Sequence, residues 1–172
     1  MHIAVILHNI RSLHNVGSIF RTADGAGVEK IYLCGITPTP LDRFGNVRKE
    51  VAKVALGAER TVAWEKARST VPLLKKLKRE GWTVVAAEQA KGSVPYTEAR
   101  RRVKGGKVAV VLGAEVRGVP PSVLKVADVV LEIPMRGAVV RQAHHPRHTG
   151  RGKESLNVSV AAGIVLFSLR HL

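Results

Sequence analysis

The sequence has one cysteine, Cys34, so it can form no internal disulfide, which points to a reducing, cytosolic setting. Aromatic residues make up 4%, too few for the stacked platform with which RRM- and OB-type domains hold bases. No apolar run is long; the N-terminal one, Ile3 to Leu7, falls short of both a signal-peptide core and a membrane span. There is no Gly-x-x-x-x-Gly-Lys-Ser/Thr loop, which weakens a generic nucleotide-phosphate reading. Acidic residues are the scarcest class relative to need. Thirteen Asp and Glu face 28 Lys and Arg, a formal net charge of +15. A surplus of that size calls for a polyanionic partner, usually nucleic acid, gripped through its phosphates by Lys and Arg. An anionic membrane is the competing partner, but no basic amphipathic helix with aromatic anchors stands out.

What is present describes an ordinary soluble α/β domain. A length of 172 residues suits one domain with a real core, and 45% apolar and 24% charged residues are globular values. No internal repeat is apparent. His2 to His8 reads as a buried strand, and Asn15 as an N-cap for a helix with Val16, Ile19, Phe20 and Ala23 on one face. Lys30 to Cys34 is a second strand, stopped by Gly35, and Thr37 to Gly45 is a proline-bearing loop. Residues 48–56 read as a short basic helix ended by Gly57, either an RNA-facing edge or a solvated face. Thr61 to Trp64 reads as a short strand and 65–80 as a helix with Ala67, Val71, Leu74 and Leu77 inward. Lys75, Lys76, Lys78 and Arg79 suit the negative end of that helix without any ligand. Trp82 to Ala87 is a further strand, and Arg100, Arg101, Arg102, Lys104 and Lys107 form a basic run before the next. The alternation predicts a mostly parallel sheet with helices on both faces.

The C-terminal part carries the most information. Val108 to Leu112 and Val129 to Ile133 read as valine-rich buried strands, halted by Gly113 and Pro134 respectively. Gly113 allows backbone to approach a ligand closely, and Pro134 forces the chain out of the sheet. Ser155 reads as the N-cap of a last helix, Leu156 to Leu169, apolar nearly all round and so buried by packing or by a second subunit. In α/β sheets ligands bind beyond the carboxyl ends of strands, so the convergence of these segments predicts a cofactor pocket.

Three groups of residues here carry a family resemblance. Leu112-Gly-Ala-Glu-Val-Arg-Gly118, Ile133-Pro-Met135 and Ser155-Leu-Asn-Val-Ser159 resemble motifs 2 and 3 of the SpoU/TrmH family, and Asn15-Val-Gly-Ser-Ile-Phe-Arg21 resembles its motif 1. The resemblance covers nearly the whole chain. It implies an S-adenosylmethionine-dependent RNA 2′-O-ribose methyltransferase with a C-terminal trefoil knot, working as a homodimer in which motif 1 of one subunit meets the cofactor pocket of the other. The donor is then expected against Ala87, Leu112, Gly113, Gly118, Ile133, Met135 and Leu156, held mainly by backbone groups. Asn15, Arg21, Glu115, Ser155 and Asn157 match the family's catalytic positions. Arg21 is the residue expected to act, by stabilising a developing alkoxide or by gripping the neighbouring phosphate, because a guanidinium hardly deprotonates. Read locally, Arg21 is a solvated helix residue, Asn15 a simple cap, and Glu115 a tie from its loop to Arg21 or Arg117. The substrate expected from resemblance and charge together is tRNA or rRNA, with no membrane and no metal.

One stretch departs from the family pattern. Residues 137–153 are basic, poor in apolar residues and broken by Pro146 and glycines, and read as a flexible insertion in a single domain spanning 1–172. His144, His145 and His148 invite a metal reading, but neither cysteine nor carboxylate joins them nearby. A non-catalytic RNA-binding protein, with its pocket impaired by that insertion, is the alternative function. Binding of S-adenosylmethionine separates the two.

Overall fold

The computed structural model describes residues 1–135 and 155–170. Strand β1 (His2–His8) is followed by α1 (Leu13–Gly25), β2 (Lys30–Cys34), α2 (Lys49–Ala55), α3 (Ala58–Thr61) and β3 (Ala63–Ala67). Then come α4 (Thr70–Arg79), β4 (Thr83–Ala87), β5 (Val94–Pro95), α5 (Ala99–Arg102), β6 (Lys107–Leu112), α6 (Pro121–Leu124), β7 (Val129–Glu132) and α7 (Val158–Arg170). Among the described residues the strands form one sheet in the order β3-β2-β1-β6-β4-β7-β5. Every pairing in it is parallel. The register aligns Leu7 with Leu112, Leu112 with Ala87, and Ala87 with Leu131, so all these strands finish at one edge.

Side-chain alternation splits the core in two, as a sheet covered on both faces requires. Ile3, Val5 and Leu7 of β1 point to the side covered by Val16, Ile19, Phe20 and Ala23 of α1 and Val165, Leu166 and Leu169 of α7. Ile6, Val84, Ala86, Ala109 and Val111 point to the other side, against Leu74 and Leu77 of α4 and Val123 of α6. The predicted apolar face of α1 is therefore the buried one. Gly17 on that helix is buried because α2 comes so close: a Cβ there would stand 2.7 Å from the Val51 carbonyl oxygen. At the far end of α7, the Arg170 guanidinium donates to the carbonyls of Ala26, Gly27 and Met1, fastening the last helix to the end of the first.

Several predicted boundaries were wrong for identifiable reasons. The cap of α1 is Ser12, whose hydroxyl accepts from the Asn15 N–H at 3.2 Å, so Asn15 lies inside the first turn with its side chain free for other partners. The last helix starts at Val158, not after Ser155. Asn157 caps it, its side-chain oxygen accepting from the Ser159 N–H at 2.9 Å. Residues 65–67 belong to β3 and Thr61 to α3, against the prediction of a strand at 61–64 and a helix from 65. Trp-Glu-Lys-Ala has helical propensity, but an edge strand tolerates charge, and Lys30 on β2 pairs with Glu65 across the ladder at 2.7 Å. The short basic helix stops at Leu56, itself at φ 52°, one residue before Gly57. The expected insertion at 137–153 with His144, His145 and His148, and the chain path that would make the knot, lie outside the described residues.

Phe20 is fully buried between α1 and the sheet. Phe20→Ala should therefore destabilise the fold by about 3–5 kcal/mol in urea unfolding.

Candidate functional site

Beyond the common edge of β4, β6 and β7 lies a cavity of about 690 Å³. Its lining includes every residue predicted to hold the donor: Ala87, Leu112, Gly113, Gly118, Ile133, Met135 and Leu156. Glu115, Ser155 and Asn157 line it too, whereas Asn15 and Arg21 do not.

The wall is the loop after β6, which doubles back on itself. Ala114 and Gly118 exchange backbone hydrogen bonds of 3.2 and 2.8 Å, bringing Gly113 against the next peptide. A Cβ at Gly113 would lie 2.5 Å from the Gly118 carbonyl oxygen, so only glycine fits there. Two carboxylates hold this loop from opposite sides. Glu88, the residue following β4, accepts from the Val119 N–H at 2.6 Å and from the Gln89 N–H at 2.8 Å. Its carboxylate stands where any side chain at Gly118 (φ 61°) would go. Glu115 accepts from the backbone N–H groups of Arg11 and Ser12 at 3.3 and 3.2 Å, and from the Asn15 side-chain amide at 3.0 Å. Its partners are thus the start of α1, and not Arg21 or Arg117.

Asn15 extends the tie. Its side-chain oxygen accepts from the Asn157 amide at 3.2 Å, joining α1, the loop after β6 and the start of α7 in one polar chain. Burial pushes the Glu115 carboxyl up, but the hydrogen bonds from Asn15, Ser12 and Arg11 outweigh it and hold the group below its ordinary value. Arg21 stands apart, exposed on α1 beyond Asn15. Of the residues predicted to act, the structure joins Asn15, Glu115 and Asn157 in one place and leaves Arg21 outside the cavity. Glu88 went unnoticed in the sequence. The available signal was an acidic residue directly after an apolar strand that ends at the ligand-binding edge.

Comparison with known proteins gives this geometry a context. The model of the SpoU rRNA Methylase family matches residues 2–141. The chain belongs to that family. Among curated relatives, the 23S rRNA (guanosine-2′-O-)-methyltransferase RlmB of Bordetella pertussis is 33% identical over 95% of this SpoU chain and 57% of its own length. The RlmB of Ralstonia nicotianae is 31% identical over 95% of this chain and 56% of its own. The chain thus spans little more than half the length of these relatives. Among solved structures, the AdoMet-bound rRNA methyltransferase from Sinorhizobium meliloti superposes with a TM-score of 0.79 at 28% identity, over 99% of this chain and 56% of that one. The TrmH/SpoU tRNA modifying enzyme of A. aeolicus gives 0.76 at 28% identity, over 98% and 74%. These likenesses bear out the family resemblance and the parallel α/β fold.

Two measurements test the site. Gly113→Ala should abolish ligand binding in this SpoU chain while most of the sheet stays folded, checked by calorimetry beside circular dichroism. The Glu115 tie carries a pH signature. Because the folded carboxyl titrates below its unfolded value, the tie stabilises fully above the unfolded value and is lost as pH falls through the folded one. The stability gap between wild type and Glu115→Gln should accordingly shrink toward zero in acid.

Proposed function

We propose that this chain is an S-adenosylmethionine-dependent methyltransferase acting on a ribose 2′-hydroxyl of tRNA or rRNA. The observation that carries the reading is the cavity beyond β4, β6 and β7, with its folded-back glycine loop tied to α1 through Glu115 and Asn15. The residues suit the donor. The tight reversal that Gly113 and Gly118 permit shapes the cavity wall, and Leu112, Ile133, Met135 and Leu156 supply apolar surface for an adenosyl group. Bound there, the sulfonium supplies an electrophilic methyl group, and no metal is required for its transfer.

The protein's own share is positioning and charge. Asn15 and Asn157, joined side chain to side chain, fix the rim where a target ribose would meet the donor. Arg21 offers a permanent positive charge, suited to stabilising an alkoxide or to holding the adjacent phosphate. Since Arg21 lies outside its own chain's cavity, the reading is a homodimer in which Arg21 of one copy serves the cavity of the other. Val160 and Phe167, both exposed on α7, support such an assembly by leaving apolar surface to cover. The net charge of +15 supports an RNA substrate. Among the described residues no helix is long and apolar enough to cross a membrane.

The first test is calorimetric titration with S-adenosylmethionine and with its demethylated product, where one ligand per chain is expected. Arg21→Ala should then leave donor affinity unchanged and lower transfer of labelled methyl to bulk tRNA or rRNA by roughly 100-fold or more. A folded protein that binds RNA but no donor would favour the non-catalytic RNA-binding alternative.

A further inference from the structure

The loop between β2 and α2 ends in a tip that the methyl-transfer reading does not use. Of the three phenylalanines, Phe20 is buried in the core and Phe167 lies on α7, whereas Phe44 stands 72% exposed at this tip. The turn beneath it is built firmly. The Asp42 carboxylate accepts from the Phe44 N–H at 2.8 Å and the Asn46 N–H at 2.9 Å, and the Asp42 N–H donates to the Asn46 carbonyl at 2.8 Å. Gly45, at φ 81°, makes the reversal, and Leu41 bridges Val47 below it. The stem is braced as well. The Thr37 hydroxyl, buried, donates to the Leu7 carbonyl at 2.9 Å and accepts from the Ile10 N–H at 3.0 Å. Lys66 donates to the carbonyls of Gly35 and Thr37 at 2.6 and 2.5 Å.

An ordered turn that holds a phenylalanine out in water gains nothing for the fold. Its neighbours indicate what it gains instead. The Arg43 guanidinium lies 4.6 Å from the Phe44 ring centre, and Arg48, Lys49 and Lys53 follow on the same segment and α2. A ring beside a guanidinium, on a segment that carries further cations, fits a nucleotide, which offers a base π-face to stack and a phosphate to pair. The loop springs from the carboxyl end of β2, the edge at which β4, β6 and β7 also finish. We propose that the Arg43–Phe44 tip is a stacking finger for an unpaired base of the RNA substrate, positioned to select single-stranded or looped targets. The idea rests on the RNA-directed reading above and specifies one contact within it.

Fluorescence polarisation of the full chain with a short labelled single-stranded RNA, and with the same strand annealed to its complement, tests the proposal. Phe44→Ala should weaken single-strand binding about tenfold, Phe44→Trp should restore it, and duplex binding should change little. Thermal midpoint and S-adenosylmethionine affinity should stay at wild-type values, since Phe44 packs in neither core nor cavity. Unchanged single-strand affinity in Phe44→Ala, or equal loss on duplex and single strand, overturns the stacking role. So does a shift of Phe44→Ala to a smaller oligomer in ultracentrifugation, which would make Phe44 a protein contact. Wild type that binds RNA but no donor overturns the methyltransferase reading and leaves the stacking result intact. Wild type that binds no RNA overturns the finger.

Discussion

The close contact between Gly113 and the Gly118–Val119 peptide is the constraint on which the site depends. A loop of six residues can reverse this tightly only if the strand ends on a residue without a Cβ and the returning residue adopts a left-handed conformation. The reversal leaves peptide groups facing a cavity that must remain shaped in solvent. Glu88 and Glu115 keep it so, Glu88 by accepting from the Val119 N–H where the loop returns, and Glu115 by reaching out of the loop to the Arg11 and Ser12 N–H groups before α1. Because Glu115 reaches the start of α1, the shape of the cavity is coupled to the position of the helix that bears Asn15 and Arg21. Any displacement of α1 would be felt at the loop.

That coupling explains why the sheet is packed as it is. α1 touches α2 without an intervening side chain at Gly17, lies over β1, and is fastened to α7 at its far end by Arg170. The helix is thus located at its start by polar bonds and along its length by apolar burial. Parallel strands in register supply the common edge, and the loops after β2, β4, β6 and β7 all emerge there. The proposed donor cavity and the proposed stacking tip share that edge because parallel topology puts every strand-to-helix loop on one side.

Much of this was legible. Valine-rich runs of four to six residues separated by helical patterns lead directly to a parallel sheet, and the face of α1 follows from the spacing of Val16, Ile19, Phe20 and Ala23. The cavity-lining residues were legible because glycine and proline punctuate strand ends and because the motifs there resemble those of a known family. Misreadings came where two elements share a composition. Asn15 and Ser155 have the chemistry of caps, yet Ser12 and Asn157 hold those places, since several polar residues precede each helix and backbone geometry selects one. β3 carries Glu65 and Lys66 like a helix surface, and only its place at the sheet edge makes it a strand.

The amino-acid sequence by itself determined the fold class, the strand ends that line the cavity and the basic character of the surface. Those properties follow from periodicity, from glycine and proline, and from a count of charges, all of which are local or additive. Tertiary structure decided the partners. Glu115 and Arg11 are distant in sequence, as are Asn15 and Asn157, and Glu88 and Val119. A carboxylate or an amide takes whichever donor the packed helices and strands bring within three ångströms or so, and that depends on chain topology.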